Sequence, residues 1–142
     1  MPTDSLTRIR LGFGKGIIAL LWGLVPITGV TAVLAGQAFL FPTLASLALA
    51  AVPTLAWSRS RTGDFTRWSS SIALAGQVAV LLVALQGTVV QIDMHMAFFA
   101  ALAIAAGWLC WTSVVLAAAV IAVHHLVLNF AYPLAVFPDG AD

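Results

Sequence analysis

The chain has 142 residues, of which 62% are hydrophobic and 8% are charged, and its formal net charge is +1. Soluble domains carry about 25% charged residues, so a chain of this length could not bury so much apolar surface from water, and we predict a single integral membrane domain. All six basic residues lie within the first 67 positions, without the dense basic surface that nucleic-acid binding needs, so nucleic acid is excluded as a partner.

Long apolar runs predict how the chain crosses the membrane. A helix that spans a bilayer needs about 20 mainly apolar residues. Five such stretches occur, of which the fourth is the shortest, and they are separated by a polar loop at 58–67 and by short turns. We therefore predict an all-α, polytopic transmembrane helical bundle. The predicted spans are 15–35, about 38–57, 69–90, about 94–109 and 114–130.

The basic residues predict the orientation. They precede the first span and recur in the 58–67 loop, which carries three arginines and one aspartate. Because short loops rich in Lys and Arg remain in the cytoplasm, we expect the N-terminus inside and the C-terminus outside, in a multi-pass protein of the bacterial inner membrane. Four tryptophans then fall at the inner boundary, as in an aromatic belt. They are Trp57, Trp68, Trp108 and Trp111.

Small and polar residues within the spans predict helix contacts. Gly12 and Gly16 form a small-xxx-small pair that favours close helix approach, and we expect a homodimer or higher oligomer. Gln77 and Gln86 are expected to form hydrogen bonds between helices. The single cysteine, Cys110, lies near the predicted inner face, where we expect it to be an inert, small hydrophobic residue.

All three histidines fall in the predicted outer half of the bundle. His95 begins the fourth span, and a rise of 1.5 Å per residue places His124 and His125 about 18–20 Å beyond the inner turn. Asp93 shares this depth. Adjacent helical residues point about 100° apart, so at most one histidine of the pair should face a given neighbour. We expect His95 and His125 as the main ligands, followed by His124.

Ionisable groups at membrane depth usually mark a functional site. Imidazoles on two helices suit haem b iron, whereas His with Met suits copper(I); we slightly favour haem. Asp93 would orient a ligating imidazole by accepting its other N–H, with Asn129 as a further supporting group. A cluster of histidines that responds to protons is the other functional interpretation. Three side chains would wall the pocket: Met96, Phe98 and Phe99.

A structural role is the alternative to a ligand site. Asp93 is placed to cap the helix that follows it, and a histidine at the headgroup level can simply be hydrated. The sequence contains no HExxH, GxSxG or P-loop motif, so we expect no enzyme. A rival functional class is a proton-coupled transporter or carrier component. It would use Asp93 and the histidines as a relay and prolines as breaks in gating helices. These are Pro26, Pro42 and Pro53.

Two motifs contain the three histidines, and a third motif follows them in the sequence. They are Gln91-x-Asp93-x-His95-Met96-x-Phe98-Phe99, Ala122-Val123-His124-His125-Leu126-x-x-Asn129-Phe130 and Val136-Phe137-Pro138-x-Gly140-x-Asp142. In this order they resemble the N-terminal membrane sensor region of certain bacterial methyl-accepting chemotaxis proteins and diguanylate cyclases. The resemblance covers residues 91–142, and residues 1–90 agree in pattern alone.

The resemblance implies an input module for signal transduction, without specifying haem or copper. In such receptors the chain continues through one more helix, which carries a further histidine, into a cytoplasmic signalling domain. We therefore expect residues 1–142 to form one sensor module that stops short of that helix. Its expected partners are membrane lipid, a second copy of the chain, and a cytoplasmic signalling domain or partner.

Overall fold

The computed structural model describes the backbone of residues 2–131 and the side chains of residues 5–131 other than Asn129. Within this range the chain forms six α-helices and no β-strand, so the predicted all-α class is confirmed there. The helices are α1 (Pro2–Leu34), α2 (Leu40–Arg59), α3 (Asp64–Ala84), α4 (Val90–Met94), α5 (Ala97–Ala106) and α6 (Trp111–Ala131).

Four of these helices are long and apolar enough to cross a membrane. Each supplies at least 18 residues, and a helix of about 20 residues reaches across the roughly 30 Å hydrocarbon core. Length and composition therefore support a membrane protein. The qualifying stretches are Ser5–Leu34, Leu40–Arg59, Asp64–Ala84 and Trp111–Leu128.

The predicted fourth span differs from the structure. We expected one helix over about 94–109, but the apolar stretch Val90–Ala106 is shorter than the other spans and divides into α4 and α5. In addition, α3 ends at Ala84 instead of near residue 90. The chain turns after it through Gly87, whose φ of +75° lies in the left-handed region that glycine adopts without steric cost.

α3 lies at the centre of the bundle, where it contacts α1, α2, α5 and α6. Gln77 is buried on α3 and ties three helices together. Its Nε2 donates to the Ser46 main-chain oxygen (2.9 Å) and more weakly to that of Leu21 (3.4 Å), and the Ser46 hydroxyl donates to Gln77 Oε1 (2.5 Å). The predicted interhelical hydrogen bonding of Gln77 is thus present, and it links α1, α2 and α3.

α1 fixes the loop that joins α5 to α6. The Arg10 guanidinium donates from Nε to the Trp108 carbonyl oxygen (3.0 Å) and from Nη2 to that of Leu109 (2.9 Å). Phe13 packs edge-on against the Trp108 indole, with ring centroids 5.1 Å apart. The indole N–H donates to Ser70 Oγ at 2.9 Å. This loop is therefore held by α1 and α3 together.

The tryptophans at this end of the bundle have two different environments. Trp108 is fully buried, so it belongs to the core and not to the lipid-facing belt in which we had placed it. Trp111 is 77% exposed and Trp68 is 36% exposed, as an aromatic belt requires. Only the exposed tryptophans can therefore serve as interface anchors.

The predicted small-xxx-small face of α1 is open. A β-carbon added at Gly12 or Gly16 would meet no atom within 4 Å, whereas one added at Gly14 would lie 3.0 Å from the Trp108 ring. Within the described chain, close packing of α1 thus uses Gly14. The face that carries Gly12 and Gly16 remains accessible to lipid or to another molecule.

Candidate functional site

The three histidine rings lie together between the α4–α5 junction and α6. The His95 centroid is 6.2 Å from that of His124 and 5.7 Å from that of His125, and the two rings on α6 are 5.2 Å apart. The structure therefore brings together the three side chains that we predicted as ligands. In the sequence-based topology, this is the end of the bundle opposite the arginine-rich loop.

His95 is positioned by the break between α4 and α5. Its main-chain N–H bonds to the Ile92 oxygen at 3.1 Å, three residues back, as in a 3₁₀ turn. The Gln91 oxygen, which a regular α-helix would pair with that N–H, lies 2.9 Å from His95 Nδ1. Because a carbonyl oxygen can only accept, Nδ1 carries a proton, and the neutral form of this ring has its lone pair on Nε2.

Gln91 is a supporting residue that our site prediction omitted. It is fully buried, and its side-chain Oε1 accepts a hydrogen bond from the Gly87 main-chain N–H at 3.2 Å. One residue thus connects the turn after α3 with the orientation of the His95 ring. Its position four residues before a helical histidine was the available signal, since residues at that spacing share a helix face.

His125 has the same arrangement on α6. Its Nδ1 lies 2.8 Å from the Ile121 main-chain oxygen, four residues back. Nδ1 again carries a proton, and the neutral form of this ring presents the lone pair of Nε2 to a ligand. The side chain is exposed in the isolated chain, so this ring forms the outer edge of the cluster.

His124 is the buried member of the pair, with 5% of its surface exposed. Both of its ring nitrogens are buried without a hydrogen-bond partner, as is Nε2 of His95. We had ranked His124 behind His125 and expected only one of them to face a given neighbour. In the structure both rings approach His95, with centroid separations of 6.2 Å for His124 and 5.7 Å for His125.

Phe98 is the one predicted wall residue that contacts the cluster. It is 4% exposed, and its ring centroid lies 5.1 Å from that of His124, 5.6 Å from His125 and 6.2 Å from His95. Met96 is 64% exposed and Phe99 is 66% exposed. Neither Met96 nor Phe99 therefore forms part of a buried wall.

Of the two predicted supporting groups, the structure describes the side chain of Asp93 and not that of Asn129. Asp93 is exposed, and backbone carbonyls take the orienting role that we had assigned to its carboxylate. Asp93 caps no helix either, since the N-cap residue of α5 is Met96 and no side chain caps that helix. The side chain of Asn129 and the third motif, 136–142, lie outside the described residues.

The arrangement has the donors of a metal site but not its final geometry. Among the described residues, no three or more His, Cys, Asp and Glu side chains are placed to hold a metal ion. Imidazole nitrogens bind a metal at about 2.0–2.1 Å, which puts the centroids of three such rings about 5–5.5 Å apart. The observed separations of 5.2–6.2 Å are close to this, and turning the unpartnered His124 ring breaks no hydrogen bond.

A haem does not fit between the rings as they stand. Axial imidazoles would lie on opposite faces of the porphyrin, and the spacing of His95 and His124 alone would permit this. However, His125 and Phe98 each lie at a similar distance from both rings. Both therefore occupy the region beside the midpoint of the two rings, where the macrocycle would have to be.

An apolar cavity of about 480 Å³ lies at the opposite end of the bundle, between α2, α3 and the start of α6. No histidine lines it, so it is separate from the cluster. Its lining includes Leu49, Pro53, Phe65, Trp68 and Leu116.

Comparison with known proteins adds no relative: no protein-family model, curated protein or solved structure matches the chain.

Proposed function

We propose that the chain is a membrane-embedded input module of a bacterial signalling receptor, of the chemotaxis or cyclic-di-GMP type, and that its histidine cluster binds a metal ion. One observation carries the proposal: three imidazoles from two separate segments meet with buried nitrogens that have no partner. Buried polar atoms are nearly always paired. A metal ion that bonds to these ring nitrogens would supply the partner that they lack.

The assignment as an input module depends on the resemblance of the histidine motifs to receptor sensor regions. The segments 91–99 and 122–130, which carry that resemblance, are the same segments that form the cluster. The excess of arginine in the 58–67 loop supports a cytoplasmic location for that end of the bundle. In this orientation the metal would reach the cluster from the outer side.

A transporter is the weaker interpretation. Prolines that break gating helices were the predicted feature of a transporter, but α1 and α2 continue without a break through Pro26 and Pro53. The break at His95, between α4 and α5, is not at a proline. Asp93, which such a relay would use, is exposed. We therefore favour a binding site that reports occupancy.

Metal analysis of the detergent-purified chain tests the binding site. After equilibration with Cu(I) or Zn(II) in turn, we expect about one ion per chain. His95→Ala and His124→Ala should each remove it, and Cys110→Ala should not. Equal metal content in the wild-type and histidine variants would refute the proposal.

A conformational response tests the input role, since a ligand drives a change only when it binds two states with different affinity. In a Cys110→Ser background, spin labels at Val89→Cys and Val123→Cys would report the separation of the α3–α4 turn from α6. We expect metal to shorten and narrow this distance distribution. Metal binding with an unchanged distribution would contradict a sensor and leave a static metal site.

A further inference from the structure

The apolar cavity between α2, α3 and the start of α6 has an interior without free polar groups. Its volume of about 480 Å³ lies within the range of roughly 300–1,000 Å³ that small-molecule sites occupy. Ser69 is the one lining residue with a hydroxyl group, and that hydroxyl donates to the Thr66 carbonyl oxygen. Water in the cavity would therefore lack hydrogen-bond partners, which favours an apolar occupant.

The cavity follows α3 from headgroup level into the hydrocarbon region. Its lining on α3 runs from Phe65 to Ala73, a distance of about 12 Å at a rise of 1.5 Å per residue. Trp68 lies near the outer end of this lining and is 36% exposed, and an exposed tryptophan at the end of a span marks the membrane interface. The shape suits an elongated apolar molecule whose polar end stays at the interface.

Arg59 places a positive charge above the cavity. It follows Val52, which lines the cavity, by seven residues on α2, and residues at this spacing share a helix face. Helical side chains lean towards the N-terminus of their helix, so Arg59 extends from the end of α2 in the direction of the cavity. It is exposed, and its side chain forms no ion pair or hydrogen bond within the described chain. A negatively charged group at the membrane surface would supply a counter-ion.

The other two arginines of the 58–67 loop are already engaged. The Arg61 guanidinium lies over the Trp57 ring, 5.1 Å from its centroid, and Trp57 does not line the cavity. Arg67 forms an ion pair with Asp64. Arg59 is therefore the arginine of this loop that is available to a ligand in the cavity.

We infer that the cavity binds an acyl chain of an anionic phospholipid, whose headgroup phosphate pairs with Arg59. Basic sites between membrane helices bind anionic headgroups in this way. A second copy of the chain is a less favourable occupant, because a two-fold interface brings the same patch of both copies together. Two Arg59 side chains would then meet at the same depth and repel each other.

Native mass spectrometry of the full chain in a nonionic detergent tests this inference. The chain would be titrated with phosphatidylglycerol and, separately, with phosphatidylcholine that has the same acyl chains. We expect one phosphatidylglycerol per chain, bound about fivefold more tightly than phosphatidylcholine, since this is the preference that one basic side chain contributes near an anionic headgroup.

Two pairs of variants locate the bound lipid. Ala48 lines the cavity and is exposed, so Ala48→Leu should occupy part of the cavity and weaken the binding of both lipids by more than about fivefold. Ala19→Leu, at an exposed position on α1, should leave binding unchanged. Arg59→Gln should reduce the affinity for phosphatidylglycerol to that for phosphatidylcholine. Arg61→Gln removes the same charge from the same loop and should not.

Tryptophan fluorescence gives a second measurement at one lipid per chain. Phosphatidylglycerol with brominated acyl chains quenches the tryptophans that it contacts. Trp68→Phe removes a tryptophan that lines the cavity, so the quenched fraction of the fluorescence should fall. Trp22→Phe removes one on α1 that does not line it, so the quenched fraction should rise.

Three outcomes would overturn the inference. They are equal affinities for the two lipids, equal lipid binding by Ala48→Leu and Ala19→Leu, and a dimer that Ala48→Leu dissociates, which would make the cavity an interface between copies. The metal-binding proposal is tested separately by the histidine variants, because no histidine lines the cavity.

Discussion

The ring centroids of His95 and His124 lie 6.2 Å apart, although one side chain belongs to the α4–α5 junction and the other to α6. No hydrogen bond from either ring explains the approach: His95 Nδ1 is directed to its own helix, and His124 makes no hydrogen bond. The packing that joins them buries three ring nitrogens at a cost in free energy. This cost is the physical reason to expect a ligand, and it leads to the first prediction.

Replacing His124 with leucine should stabilise the metal-free chain and abolish metal binding. Each unpartnered buried polar group costs about 1–3 kcal/mol, and leucine fills a similar space without one. We expect the free energy of unfolding to rise by about 1 kcal/mol and the stabilisation by added metal to disappear. Unfolding by SDS titration in mixed micelles, with and without metal, measures both quantities. A destabilised, metal-free His124→Leu variant would indicate that the imidazole has a structural partner.

Two glycine substitutions should have opposite effects. A β-carbon at Gly107 would lie 2.3 Å from the Phe13 ring, so Gly107→Ala should destabilise the chain by about 1–3 kcal/mol through overpacking. Gly16 lies within α1 and has open space, so Gly16→Ala should stabilise it by about 0.5–1 kcal/mol. The same micelle titration gives both values. Adding Phe13→Leu to Gly107→Ala should restore part of the lost stability. Equal effects of the alanine substitutions at Gly107 and Gly16 would contradict close packing of Gly107 against Phe13.

Replacing Gln77 with leucine should loosen the centre of the bundle. The substitution removes the hydrogen bonds to Ser46 and Leu21 from a buried position. We expect a loss of about 1–3 kcal/mol. Gln37 is the matched control, because it is exposed and the one described bond of its side chain is to the Gln86 carbonyl. Gln37→Leu should therefore change stability by no more than about 0.5 kcal/mol. Equal losses of stability in the two variants would show that the hydrogen bonds of Gln77 do not stabilise the centre of the bundle.

Cys110 reports the orientation of the chain, because it is the only cysteine. It lies in the loop between α5 and α6, which we propose is cytoplasmic. A membrane-impermeant maleimide should therefore label it in inside-out vesicles and not in right-side-out vesicles. In a Cys110→Ser background, Val89→Cys at the opposite end should show the reverse pattern. Labelling of Cys110 in right-side-out vesicles would show that the chain has the opposite orientation.

The labelling rate of Cys110 should also depend on pH in a particular way. Partial burial raises the pKa of the thiol, but the main-chain N–H of Ser113 and the positive charge of Arg67 outweigh it, so the pKa is lowered overall. A lower pKa increases the thiolate fraction at a given pH, and the thiolate is the reactive form. The pH at which labelling reaches half its maximal rate should therefore be lower in the folded chain than in the SDS-denatured chain. An unchanged or higher pH would contradict a lowered pKa of Cys110.

The sequence was sufficient to predict the long helices, because apolar runs that match the bilayer thickness have few other solutions. It was not sufficient to predict the end of α3 or the division between α4 and α5. Five polar side chains are scattered among apolar ones between residues 86 and 95, so hydrophobicity does not mark a single point at which the helix stops. They are Gln86, Thr88, Gln91, Asp93 and His95. The break depends on the turn at Gly87 and on the three-residue hydrogen bonds at His95 and Phe98.

The meeting of the histidines was predictable for a geometric reason. A short connection between α5 and α6 forces the two helices to lie antiparallel, and counting residues from it places His95 and His124 at similar depth. The rotation of each helix about its axis was not predictable, because Val123 and Leu126 are as apolar as the residues on the packed face. Rotation decides that His124 and Phe98 are buried while Met96 and Phe99 are exposed.

The attachment of Arg10 to the carbonyls of Trp108 and Leu109 has a mechanical consequence. It clamps the closed end of the α5–α6 pair, while the histidines lie about 15–20 Å away along the two arms. Because the loop end of the pair is fixed, a ligand that draws the histidines together would move the far end of α6 most. The movement would change the angle between α5 and α6.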